Sequence, residues 1–197
     1  MLHYLTGAGL RHHPGLAATM ARDRCTQFGA DSDDYDRLNP IHVIWQAPDG
    51  GHGASMRFLP TLGRTRINDR YAHLCGGRRF AHAKTWEFSR LCLSPAACPD
   101  MVARLMLGAA ELGLGFGLSR AVGLVDAGQM RLFQQLGWLP VILGSEGRGA
   151  GALSLGLWQF SGDLRRRLAR RAGIAEPLSR LWFDRAFGGK KPAAATG

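Results

Sequence analysis

The chain has 197 residues, 46% hydrophobic and 20% charged, and a formal net charge of +10. That size and balance suit one folded domain with a substantial core, expected over residues 1–187. The most apolar stretch, Leu105 to Leu118, is broken by Glu111 and too short for a membrane span. Nothing at the N-terminus reads as a signal peptide, so a soluble cytoplasmic protein is expected.

In chain order, Leu16, Met20 and Phe28 recur near helical spacing behind Pro14, a residue suited to the first turn of a helix. "IHVIWQA" sets Ile41, Val43 and Trp45 against His42, Ile44 and Gln46, "PDGG" turns the chain, and "HGASMRFLP" completes a hairpin. The stretch "TWEFSRLCLSP" (85–95) reads as a strand in which Trp86, Phe88, Leu91 and Leu93 belong inside. Glu87, Ser89 and Arg90 interrupt it and need partners, because an unpaired buried charge is costly. Met101, Leu105, Ala109 and Leu112 then mark a helix face, Arg120 to Val125 a strand, and Gln129 to Leu136 a helix stopped by Gly137. "WLPVILG" and "ALSLGLWQF" supply two more strands, helical patterns return from Leu164, and residues 188–197 are expected to form a disordered tail. This order predicts an α/β fold, a three-layer α/β/α sandwich on a mixed central sheet. Trp86, Phe88, Phe133, Trp138 and Trp158 read as core residues.

The four cysteines, Cys25, Cys75, Cys92 and Cys98, match neither a zinc knuckle nor a C-x-x-C pair, and reduced structural thiols are expected. The seven histidines show no metal-ligand spacing, and His12 and His13 read as a surface pair. Between Ser161 and Lys191 nine basic residues face three acids, which points either to an acidic partner or to a solvated basic face. No zinc-finger spacing, RNP-like motif or helix-turn-helix is legible, so nucleic acid is not expected.

Several blocks fall in series: Arg24 and Phe28 in R-x-x-x-F, "DDYDRLNP" (33–40), "SMRFLPTLGRTRINDRYAHL" (55–74), "WEFSR" (86–90), and a helix ending in Gly137-Trp138. From about Arg24 to Phe160 the chain resembles the N-acyl-homoserine-lactone synthases, the autoinducer synthases of quorum sensing. The resemblance implies a GNAT-type acyltransferase fold. It also implies acyl transfer from acyl carrier protein to the amine of S-adenosylmethionine, followed by lactone closure with release of methylthioadenosine. S-adenosylmethionine would be a cosubstrate, and no cofactor or metal is implied. On the matched positions, Glu87 is the candidate base, with Ser89 and Arg90 beside it. Arg24, Phe28, Asp33, Asp36 and Arg57 are candidates for the cosubstrate site, and Tyr71, Trp86 and Gly123 for the acyl pocket. Their bland alternative is a salt-bridge network bracing the N-terminal segment.

The loop "GADS" between Phe28 and Asp33 is shorter than the family's and lacks its tryptophan. Gly123 stands near a position where some members carry a hydroxyl, which implies an unsubstituted acyl chain. Leu164 and Leu168 can anchor a helix that turns Arg165, Arg166, Arg167, Arg170 and Arg171 outward, a candidate surface for the acidic carrier protein. Two other functions stay open. One is a GNAT-like acyltransferase using acyl-CoA and another amine, although "LSPAACPDMV" lacks the pyrophosphate loop of that class; the other is a non-catalytic relative that still binds the carrier.

Overall fold

Turn chemistry in the sequence sets where the elements begin and stop. The computed structural model describes residues 1–188, so all but the first residue of the expected tail lies outside the described residues. Strand β1 (Leu2–Leu5) and the short helix α1 (Gly7–Leu10) precede α2 (Pro14–Phe28), which Pro14 opens. Gly29 closes α2 at φ 74°, donating to the Cys25 carbonyl. A 3-10 turn, Asp34–Leu38, leads into the hairpin of β2 (Ile41–Gln46) and β3 (His52–Pro60). Helix α3 (Arg66–Arg70), a 3-10 turn (Ala72–Cys75) and β4 (Thr85–Leu93) follow. Then come α4 (Pro99–Gly115), β5 (Arg120–Asp126), α5 (Ala127–Gln135), β6 (Val141–Glu146), β7 (Leu153–Gln159), α6 (Gly162–Ala172) and α7 (Glu176–Phe187).

The seven strands form one sheet in the order β1-β2-β3-β4-β5-β7-β6. All neighbours are antiparallel except β4 and β5. On one face lie α4, α5, α6 and α7, with the main core; on the other lie α2 and α3. Helix α4 is buried over most of its surface because it sits between the sheet and α6 and α7, which explains an apolar run that spans no membrane. Among the described residues no helix is long and apolar enough to cross one.

Two irregularities open a site. Strands β4 and β5 pair only over Thr85–Phe88 and Arg120–Gly123; beyond that point β4 stays with β3 while β5 stays with β7, and a wedge opens between them. Within β4 the register against β3 slips: Arg57 faces Ser89 and Ser55 faces Cys92, so Met56 alone stands opposite both Arg90 and Leu91. This is a β-bulge, with Arg90 in the left-handed region at φ 55°. The extra residue resets the alternation of faces. Phe88, Leu91 and Leu93 therefore all reach the same core, although strict alternation would separate Phe88 from Leu91.

Candidate active site

Glu87 faces away from that core and is 1% exposed. The N-terminus of α3 meets it: the backbone N–H of Ile67 donates to Oε2 at 2.7 Å and that of Arg66 to Oε1 at 3.3 Å, just past the N-cap Thr65. Burial raises the Glu87 pKa above the ordinary carboxylate range, and these bonds, with Arg57 nearby, offset only part of that rise.

Next to it the D-x-Y-D block folds on itself. The Asp33 side chain accepts from the Tyr35 N–H at 2.9 Å, and Asp36 reaches back to the Asp33 N–H at 2.9 Å, a reciprocal capping box. The remaining carboxylate capacity goes to arginines. Arg57, fully buried, grips Asp33 with two nitrogens and reaches Asp36 Oδ2 at 3.1 Å and Ser89 Oγ at 3.1 Å. Arg90 donates from Nε to Asp33 at 3.2 Å and from Nη1 to the Ala30 carbonyl at 3.0 Å, with its guanidinium 4.9 Å from the Phe28 ring. Arg24 stands 3.5 Å from Asp36 and 3.1 Å from His42 Nδ1.

The electrostatics follow from these pairings. Although burial acts to raise the Asp33 pKa, Arg57 and Arg90 hold it down to about 2. Burial would lower that of Arg57, but Asp33 and Asp36 outweigh it and raise it. Burial pushes the His42 pKa down to about 3, helped by Arg24, so its imidazole is neutral and Nδ1 is free to accept from that guanidinium. Three guanidiniums thus face two carboxylates, and the buried Arg24 Nε has no protein partner among the described residues.

A cleft of about 200 Å³ opens at the wedge, lined by Phe28, Glu87, Ser89 and Arg90 and by apolar Ile67, Phe88, Leu124 and Leu153, with Asp126 and Gln129 at the start of α5. The structure thus gathers Arg24, Phe28, Asp33, Asp36, Arg57, Glu87, Ser89 and Arg90 into one region. The expected acyl-pocket residues are spread. Trp86 lies against Phe116, with ring centroids 5.2 Å apart, outside the cleft lining. Tyr71 touches the cleft only through Arg66, which bonds its hydroxyl at 3.1 Å. Gly123 offers no open space, because the Phe88 ring fills the place its side chain would take.

On the far side of the molecule, Arg166, Arg167, Arg170 and Arg171 are exposed on α6, whereas Arg165 is drawn in by Glu176 at 2.9 Å and Glu111 at 3.8 Å. The four cysteines are free, but only Cys92 is buried; Cys25 and Cys98 are exposed, contrary to the expectation of structural thiols. No cluster that could hold a metal occurs among the described residues.

Sequence reasoning missed His42 and the buried chain Asp23–His52–Ser55. There His52 Nδ1 is 2.8 Å from Asp23 and Nε2 is 2.9 Å from Ser55 Oγ. The signal was available in the hairpin, where both histidines occupy positions with two covered faces.

No protein-family model matches the sequence. A curated acyl-homoserine-lactone synthase of Rhizobium etli is 30% identical over 158 residues, covering 75% of this chain and 74% of that protein. The chain belongs to the acyl-homoserine-lactone synthases. It is accordingly an acyltransferase that makes a quorum-sensing signal. Two CoA-dependent synthases share its fold with a TM-score of 0.76: MesI, at 19% identity over 89% of this chain and 96% of its own, and BjaI, solved with SAM and isopentyl-CoA, at 16% identity over 89% and 90%. An aminoglycoside 6'-acetyltransferase superposes with a TM-score of 0.53 at 11% identity, over 81% of this chain and 96% of its own, as expected for the GNAT-type fold of the synthase.

Proposed function

We propose that the synthase, acting in the cytoplasm, joins an acyl thioester to S-adenosylmethionine at the β4–β5 wedge, with Glu87 as base. The observation that carries this is the position of the Glu87 carboxylate. It lines an apolar cleft, has a raised pKa, and stands beside a buried cluster with one positive charge in excess. The excess and the orphaned Arg24 Nε suit the cosubstrate carboxylate, and Phe28 and the Asp33–Asp36 turn border the same end. Glu87, directly or through a water, takes a proton from the α-ammonium. The amine then bonds to the thioester carbonyl carbon, the C–S bond breaks, and the thiolate leaves and is protonated. Past Phe88 the backbone of β4 has no β5 partner, so its N–H groups near Ser89 are candidates to stabilise the carbonyl oxygen. In the second step the cosubstrate carboxylate attacks the γ-carbon, the carbon–sulfonium bond breaks, and methylthioadenosine departs as the lactone closes. The acyl chain occupies the apolar part of the cleft between Ile67, Leu124 and Leu153.

For the donor we favour acyl carrier protein, on the basic face of α6. A second reading, acyl-CoA, is favoured by the likeness to the two CoA-dependent synthases. Mass spectrometry of products from purified protein, S-adenosylmethionine and matched carrier-protein and CoA thioesters tests the reading. An acyl-homoserine lactone with equimolar methylthioadenosine is expected; an acylated product without methylthioadenosine would overturn it.

A further inference from the structure

The wedge between β4 and β5 has its vertex at one pair of residues, Phe88 opposite Gly123, the last at which the two strands are in register. A side chain at Gly123 would meet the Phe88 ring, whose atoms come within 2.4 Å of the place a Cβ would take. A strand glycine of this kind marks close approach rather than a turn. Its neighbour across the β5–β7 pair, Gly156, does the same for Trp158, whose ring comes within 2.5 Å of the corresponding position. The two bare positions let two large rings lie against the sheet. Phe88 is then held on several sides: edge to face with Trp158 at 4.9 Å, and tilted against Phe133 at 5.8 Å and Phe58 at 6.3 Å. Phe88 also lines the cleft, so this packed ring stands between the open wedge and a filled aromatic core.

We propose that Phe88, seated in the vacancy left by Gly123, is the stop that limits this synthase to short acyl chains. The inference rests on the proposed use of the wedge as the acyl cleft. A chain that begins beside Glu87, Ile67 and Leu124 on one face of the sheet and passes between the diverging strands towards the other meets the Phe88 ring there, and behind the ring are Trp158 and Phe133 rather than space. Close packing keeps the ring from yielding: core rings sit in fixed rotamers at crystal-like density.

The test is a competition among straight-chain acyl donors of graded length, read by mass spectrometry of the lactones, with the apparent KM for S-adenosylmethionine measured alongside. Phe88→Leu and the more drastic Phe88→Ala should move the preferred chain to greater length, changing the long-to-short ratio of kcat/KM by about tenfold or more for each methylene admitted. If Phe88→Leu folds, keeps its KM for S-adenosylmethionine and gives the parent's length ratio, the stop is overturned. Leu124→Trp separates that failure from a deeper one. Should it raise KM for every acyl donor while the Phe88 variants leave the ratio unchanged, the cleft reading stands and only the stop fails; should it leave donor KM values unaltered, the cleft reading falls and the stop with it.

Discussion

Glu87 is both structural and chemical: the carboxylate that caps α3 is also the candidate base in the cleft. Its burial-raised pKa has a kinetic consequence with a definite sign. A base works ionised, so kcat/KM should fall as pH drops through the Glu87 pKa, and that acid limb should lie above the ordinary carboxylate range, near 4.3. Glu87→Gln keeps the shape and should lower the acylation rate about 100-fold or more. Near-parental turnover in a folded Gln variant would remove Glu87 from the base role. His42 works differently, as an acceptor that holds Arg24 from behind. Because burial keeps it neutral in the fold while the unfolded chain protonates near 6.5, its share of stability is complete above that pH and is lost progressively as pH falls towards about 3. His52, also lowered by burial, acts in the same sense. His42→Gln should flatten this acid loss in denaturant titrations between pH 6.5 and the folded value, and should raise KM for S-adenosylmethionine more than it lowers kcat. The chain Asp23–His52–Ser55 has the hydrogen-bond order of a Ser-His-Asp triad, but its serine is wholly buried, so it braces α2 against β3 instead of meeting substrate.

Among the elements, β4 explains why an acid, a hydroxyl and an arginine interrupt an apolar strand. Glu87 and Ser89 lie on the face opposite Phe88, and Arg90 is the extra residue of the bulge, aimed at Asp33 by a left-handed backbone that L-residues other than Gly and Asn seldom adopt. Two substitutions separate the backbone from the charge. Arg90→Ala loses the ion pair and keeps the strain, whereas Arg90→Gly loses the pair and relieves it, so the Gly variant should be the more stable of the two by about 1 kcal/mol in urea unfolding. Equal stabilities would mean the conformation carries no strain. The hairpin, α2, α4, α5 and the last two strands were legible because periodicity and turn residues agreed, with boundaries shifted by up to three residues. The first strand was not: "LHYL" is four residues long and gains its identity only from pairing with β2. The short turn at Asp34–Leu38 and helix α3 were also hidden, since they are held by caps and by Glu87 rather than by an apolar face. The charged motif residues were gathered through the resemblance to the synthases, and the structure pairs Arg57 and Arg90 with Asp33, and Arg24 and Arg57 with Asp36, while Glu87 goes to the backbone of α3. Trp86 packs against the core as its alternation with Phe88 indicates, but on Phe116 and outside the cleft lining, which alternation along β4 does not reveal.

Over the whole molecule, charge and site are segregated: the buried network with its single excess charge lies under α2, and the exposed arginines lie on α6 across the sheet. Leu164 and Leu168 are buried as the helical spacing required, and Ala169 and Ala172 complete the anchored face. Arg165 leaves the basic surface, since its pairs with Glu176 and Glu111 tie α6 to α7 and α4. Arg166 pairs with exposed Asp163, a contact that solvent and salt weaken, Arg167 donates to the Gly137 carbonyl at 3.3 Å, and Arg170 and Arg171 remain open beside Gln134 and Gln135 at the end of α5. A surface of this kind acts on the rate of encounter with an acidic protein, over distances that salt shortens to a Debye length of about 8 Å at physiological strength. The expected outcome for Arg166→Glu with Arg170→Glu is therefore a fall in kcat/KM for acyl carrier protein that is largest at low salt and shrinks as salt is raised. KM for S-adenosylmethionine should not change. CoA thioesters carry fewer charges and should respond less, so the ratio of carrier-protein to CoA turnover is the deciding number. If that ratio is the same in the variant and the parent at every salt concentration, the arginines of α6 are a solvated face and carry no donor recognition.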